Sequence, residues 1–277
     1  MSEAGSETTS ETFPEFSARI DRITVDQLRA GHWVKWDAHP DALGASIAEM
    51  DFPMAPVVAR ALHDPAVLSQ TGYLSGRLAA QARQATVEFQ ASRHDWRIDP
   101  DQVVLTTDVL DALGKFLLCF LDPGAPVIVP TPAYMPFVTL PALYRHPVIE
   151  VPLSYDPAAA DPWRLAEEDL DRAFAAGGRA LIWCNPHNPI GKAYSPEEME
   201  RVAAVVEAHH GLVFNDEIHA PLIFSPARHV PYASLSQATA RHTVTAFSAS
   251  KSFNIPGLKC AQMVVTDPER RALLRER

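Results

Sequence analysis

Seven short, nearly continuous apolar runs punctuate this chain, and segments of helical period separate them. The runs are QVVLTT (102–107), PVIVP (126–130), PVIEVPL (147–153), ALIWCN (180–185), LVFND (212–216), TVTAFS (243–248) and QMVVTD (262–267). Strands buried on both faces read as unbroken hydrophobic runs, and helices must then cover both faces of the sheet. The pattern predicts an α/β fold of three layers, α/β/α, around a mostly parallel sheet. Within DVLDALGKFLLCFLD, Val109, Leu113, Phe116, Leu117 and Phe120 fall at helical spacing. SPEEMERVAAVVEAHH opens with Ser195 as an N-cap, Pro196 at the first helical position and Glu198 closing a capping box.

Composition excludes several classes of function. The chain carries 24 Lys and Arg against 34 Asp and Glu, a net charge of −10, dispersed and without a basic footprint for nucleic acid. No apolar run reaches the ~18 residues of a membrane span. The opening MSEAGSETTSETF has almost nothing to bury and reads as a loose tail, without the charged and apolar regions of a signal peptide. We expect a flexible tail and arm over 1–33 and one large domain over 34–277. The three cysteines, Cys119, Cys184 and Cys260, each lie in an apolar segment and are far apart. That suggests reduced core residues of a cytoplasmic protein, with neither a disulfide frame nor a metal site.

The architecture also predicts where chemistry belongs. Open α/β sheets bind ligands outside the carboxyl ends of their strands. Four polar stretches sit there: TTD at 106–108, NPHNPIG at 185–191, NDEIH at 215–219 and SASK at 248–251. Lys251 therefore stands just past a buried strand, where partial desolvation would lower its pKa and make its amine reactive. A solvated surface lysine is the plain alternative.

NPHNPIG, NDEIH and SASKSFN, in that order, resemble the fold-type I pyridoxal-phosphate enzymes of the class I/II aminotransferase superfamily. Further stretches resemble its cystathionine β-lyase-like branch of C–S lyases: VKWD (34–37), AEMDF (48–52), GYL (72–74), RHDW (93–96), PAYMPF (132–137), PHNPIGKAYS (186–195), DEIHAPLIF (216–224) and SKSFNIPGL (250–258). The resemblance runs from about Val34 to the end of the chain. It implies pyridoxal 5'-phosphate as cofactor, a small sulfur amino acid as substrate and a homodimer with shared active sites. It assigns Lys251 the Schiff base with the cofactor and removal of the substrate α-proton. Asp216 would hold the proton on the ring nitrogen, the condition for the ring to act as an electron sink. Asn188 and His219 would meet the phenolic oxygen, and Tyr134 would stack on the ring. Ser248, Ser250, Lys259 and the helix start at Thr107, Asp108 and Val109 would hold the phosphate. Tyr73 would reach the phosphate from the neighbouring subunit. Capping, surface or packing roles are the alternatives for Asp216, His219, Tyr134 and Tyr73.

Two departures qualify the resemblance. Relatives usually carry Gly where this chain has Asp108, a good N-cap whose charge opposes a phosphate dianion. Either Asp108 points away or cofactor binding is weakened. Members of the family also continue for roughly another hundred residues into a small domain, whereas this chain stops at RALLRER (271–277), so we expect that domain to be absent. The functions left open are a C–S β-lyase, an aminotransferase using the same residues, and a non-catalytic paralogue or fragment.

Overall fold

The computed structural model describes residues 12–70 and 72–276. Residues 1–11 of the loose tail expected at 1–13 lie outside them. The chain divides into two compact units, one of residues up to Tyr73 together with Phe253–Leu258, the other of Leu74–Ser252 with Lys259–Arg277.

In the first unit short helices succeed one another, among them Phe13–Ile20, Val25–Ala30 and Pro56–His63. The helical residues 13–20 and 25–30 fall in the stretch expected to be an arm, and the unit runs on past residue 33. Lys35 is buried and donates to Glu49 O at 2.6 Å, with Asp51 as counter-ion at 2.9 Å. Asn254, in the left-handed region at φ 53°, clasps the backbone of Met50 and Phe52 through three hydrogen bonds of 2.8 to 3.0 Å.

The second unit is the α/β/α sandwich the apolar runs predict. Its strands are β1 (Val103–Thr106), β2 (Val127–Thr131), β3 (Val148–Pro152), β4 (Ser154–Tyr155), β5 (Trp163–Arg164), β6 (Ala180–Cys184), β7 (Leu212–Asp216), β8 (Thr243–Phe247) and β9 (Ala261–Val265). Seven form one sheet in the order β1-β9-β8-β7-β6-β2-β3, while β4 and β5 make a separate ribbon. Strands β2, β3, β6, β7 and β8 pair in parallel, and β9 runs antiparallel to both β8 and β1.

The helix Val109–Phe120 covers one face. Its Leu113, Phe116 and Leu117 are wholly buried against Phe214, Val244 and Met263. Losing one such ring, as in Phe116→Ala, costs roughly 3–5 kcal/mol in transfer and cavity energy. Glu167–Ala175 and Pro196–Ala208 cover the other face, with Phe174, Met199 and Val206 packed on Leu181, Trp183 and Val213. The capping box read from Ser195 and Glu198 is present in both directions. Cys119 and Cys184 are buried as expected, but Cys260 is exposed, because it follows the turn at Lys259 before β9 begins. No helix among the described residues is long and apolar enough to cross a membrane.

Candidate active site

Asp216 ends β7 and is 5% exposed, one strand over from Cys184, its register partner on β6. Its Oδ1 accepts the N–H of Ile218 at 2.9 Å. Burial drives its pKa up to about 7; the Ile218 N–H opposes that rise, Glu217 adds to it and Lys251 opposes it. A buried carboxylate in this condition gains from any cation brought against it. The Cys184 thiol is held neutral by burial and by the charge of Asp216.

Lys251 lies in the helical turn Ala249–Ser252 that follows β8, half-buried. Its charge reaches Asp216 and also His219, whose imidazole is kept neutral first by burial and then by Lys251. Tyr134 stands edge-on to Phe137 at 5.4 Å between ring centroids. Its phenol is held protonated by burial and then by Asp216 and Asp108, with Lys259 opposing. Tyr134 therefore sits in the field of both ends of the site.

Asn188 is half-buried in a loop braced by His187. The Pro132 carbonyl, 2.9 Å from His187 Nε2, can only accept, so Nε2 carries the proton and Nδ1 accepts the Tyr194 hydroxyl at 2.9 Å. Gly191, at φ 70°, closes the turn by donating to His187 O at 2.8 Å. This brace ties the loop of Asn188 to the loop of Tyr134.

At the start of the helix Val109–Phe120 the side chain of Asp108 caps the helix and meets Lys259. Its Oδ1 accepts the Asp111 N–H at 2.9 Å and its Oδ2 accepts Lys259 Nζ at 3.2 Å. The Thr107 N–H is taken by Asp111 Oδ2 at 3.0 Å. Val109 is buried in the core, so its side chain is closed to a ligand. Ser248 is buried, donates to Cys260 O at 2.7 Å and accepts the Ser250 N–H at 3.1 Å.

The fold thus brings Asp216, Lys251, His219 and Tyr134 into one electrostatic neighbourhood, and Asp108 and Lys259 into another that Tyr134 also feels. Tyr73 belongs to the first unit and is fully exposed. Sequence reasoning gave no role to Glu217, His229 or His94, although two of them stood inside quoted motifs. Glu217 and His229 are both 1% exposed at the side chain and lie 3.1 Å apart. Nothing local in the sequence pairs residues on separate loops.

A family profile described as aminotransferase class I and II matches residues 41–276. Cystathionine beta-lyase of Corynebacterium glutamicum is 31% identical over 240 residues, covering 86% of this chain and 62% of that protein. The chain therefore spans less than two thirds of that relative's length. Cystalysin from Treponema denticola, whose crystal structure contains pyridoxal 5'-phosphate, superposes with a TM-score of 0.80 at 25% identity, covering 92% of this chain and 65% of that one. N-succinyldiaminopimelate aminotransferase from Mycobacterium tuberculosis superposes with a TM-score of 0.76 at 28% identity, covering 92% and 67%.

Proposed function

The chain belongs to the aminotransferase class I and II family, and from that premise we propose that it acts as a pyridoxal 5'-phosphate-dependent C–S β-lyase. Its substrate would be cystathionine or another cysteine S-conjugate, and its products a thiol, pyruvate and ammonia. The observation that supports the reading is the placement of buried Asp216 at the end of β7 and half-buried Lys251 just past the end of β8, its parallel neighbour, with Lys251 opposing the rise that burial imposes on Asp216.

The residues suit the cofactor. A protonated ring nitrogen would supply the cation that burial makes Asp216 want. Once opposed by that charge, Asp216 ionises and keeps the proton on the ring. His219 and Asn188 would direct hydrogen bonds to the phenolic oxygen, with His219 in the neutral form that its surroundings favour. The Tyr134 ring would cover one face. Lys259, the hydroxyls of Ser248 and Ser250, and the backbone N–H groups following Asp108 would hold the phosphate, in competition with the Asp108 carboxylate. When bound, the cofactor supplies the electron sink for the pair left on the substrate α-carbon. The Lys251 amine would attach to the cofactor between turnovers, and during one it would take the α-proton. The β-carbon would then lose its sulfur as thiolate, which leaves with the C–S bonding pair, and water would hydrolyse the released 2-aminoacrylate to pyruvate and ammonia. Tyr73, fully exposed in the single chain, is assigned to the phosphate of a second copy across a homodimer.

Cystathionine and pyridoxal phosphate added to the protein should yield pyruvate, and Lys251→Ala should abolish it. Pyruvate release no greater than that of Lys251→Ala would overturn the reading. The likeness to N-succinyldiaminopimelate aminotransferase supports a second reading, since amino transfer uses the same residues and differs in where the proton returns. Transfer of the amino group to a 2-oxo acid without pyruvate release would favour it.

A further inference from the structure

The face of β7 opposite Asp216 carries a second titratable cluster. Side chains alternate along a strand, so Asn215 and Glu217 turn away from Asp216. Asn215 Nδ2 donates to Glu217 Oε1 at 2.6 Å, and the Tyr232 N–H donates to the same oxygen at 3.1 Å. The other oxygen, Oε2, lies 3.1 Å from His229 Nε2, at an ion-pair distance but without the alignment of a hydrogen bond. His94, at the end of the helix Gly76–His94, packs edge-on to His229 with ring centroids 5.0 Å apart. Both Glu217 and His229 are 1% exposed at the side chain. A carboxylate this deep needs a counter-charge, because neutral donors on one oxygen do not offset its desolvation.

We infer that Glu217 and His229 form a buried ion pair that neutralises the position next to Asp216, making His229 a positioning residue for the ring-end carboxylate. Of the two imidazoles it is His229 that geometry sets against the carboxylate, with Nε2 3.1 Å from Glu217 Oε2, whereas His94 is disfavoured as a cation first by burial and then by His229. Asp216 itself is faced by Glu217, Lys251, the Cys184 thiol and the Tyr134 phenol. With His229 charged, Asp216 sees a neutral pair behind it. Without that charge it sees a bare carboxylate one residue away, and its proton is held more tightly. The inference deepens the proposed function, since Asp216 matters here as the partner of a ring nitrogen.

Carboxyl-carbon NMR titration of Asp216 in the full chain without cofactor tests it. His229→Gln should raise the Asp216 midpoint by about one pH unit, tenfold in proton affinity. Glu217→Gln combined with His229→Gln should bring the midpoint back to the native value or below. An unmoved midpoint in a folded His229→Gln protein would overturn the inference, because a merely structural role would alter stability alone. If His229→Gln does not fold, two readouts remain. The double variant should match the native midpoint or fall below it, and nitrogen NMR of the unmutated protein should show both His229 ring nitrogens protonated at neutral pH. A neutral His229 tautomer, or a double variant with a raised midpoint, would also overturn it. A shifted midpoint in a protein that never binds pyridoxal phosphate would sink the proposed function and leave the coupling standing.

Discussion

The proposed ring end and the proposed phosphate end of the candidate site are built on opposite terms. At the ring end Asp216 is 5% exposed and burial works against its charge. At the phosphate end Asp108 and Lys259 are 40% and 60% exposed at the side chain and already neutralise each other. Low-dielectric surroundings magnify each charge at the first, and water screens the second. The contrast teaches that a substitution at Asp216 acts in low dielectric and should be felt strongly, while one at the exposed Asp108–Lys259 pair should be cheap.

The largest expected effect is on stability. Asp216 binds its proton with a pKa of about 7 in the folded protein against 3.8 in the free group. A raised value favours the folded state fully below pH 3.8, and that advantage is lost as pH climbs through 7. Without cofactor the loss is on the order of 4 kcal/mol. His242 works in the opposite sense, since burial lowers its pKa from 6.5 to about 4 and its contribution disappears as pH falls through that range. Comparison with Asp216→Asn isolates the aspartate. Urea unfolding should show Asp216→Asn gaining on the native protein between pH 4 and 8, and parallel curves would break the contrast between the two ends.

The same substitution should cost activity. Under the proposed function, removing the charge assigned to the ring proton should lower pyruvate release by roughly 10²–10³-fold, about 3–4 kcal/mol, with the folded content unchanged by circular dichroism. The phosphate end should respond far less. Asp108→Ala should lower stability by about 1 kcal/mol through loss of the helix cap. Asp108→Asn keeps a cap of equal quality and releases Lys259, so it should tighten pyridoxal phosphate a few-fold, in keeping with the ~0.5 kcal/mol of an exposed pair. A fluorescence titration giving a larger change than Asp216→Asn produces would reverse the ranking.

Much of this was legible because burial on both faces writes itself into sequence as unbroken apolar runs. The strands of the sheet lie within about a residue of those runs, and Ser195 and Glu198 announced a helix start through purely local bonds. What escaped was long-range. The insertion of β9 between β1 and β8 depends on the order of crossovers, which no run encodes. The Asp108–Lys259 pair spans 151 positions, so no local pattern announced it. His94 meets His229 only because a helix and a loop converge on the same face of β7. Cys260 looked like core because it adjoins a strand, yet the turn at Lys259 leaves it at the surface.

The reversed direction of β9 has one more effect. Phe247 pairs with Gln262, and Thr106 with Ala261, so β9 begins at the edge where β8 and β1 finish. A strand of the usual direction in that slot would carry its first residue to the far rim of the sheet. As it is, the stretch from 248 to 260 leaves and rejoins the same rim, bearing Lys251, proposed as the reactive amine, near its start and Lys259, proposed as the phosphate's cation, near its close. Those thirteen positions form a cassette: exchanging them would change covalent anchor and ionic anchor together, and leave the strands beneath untouched.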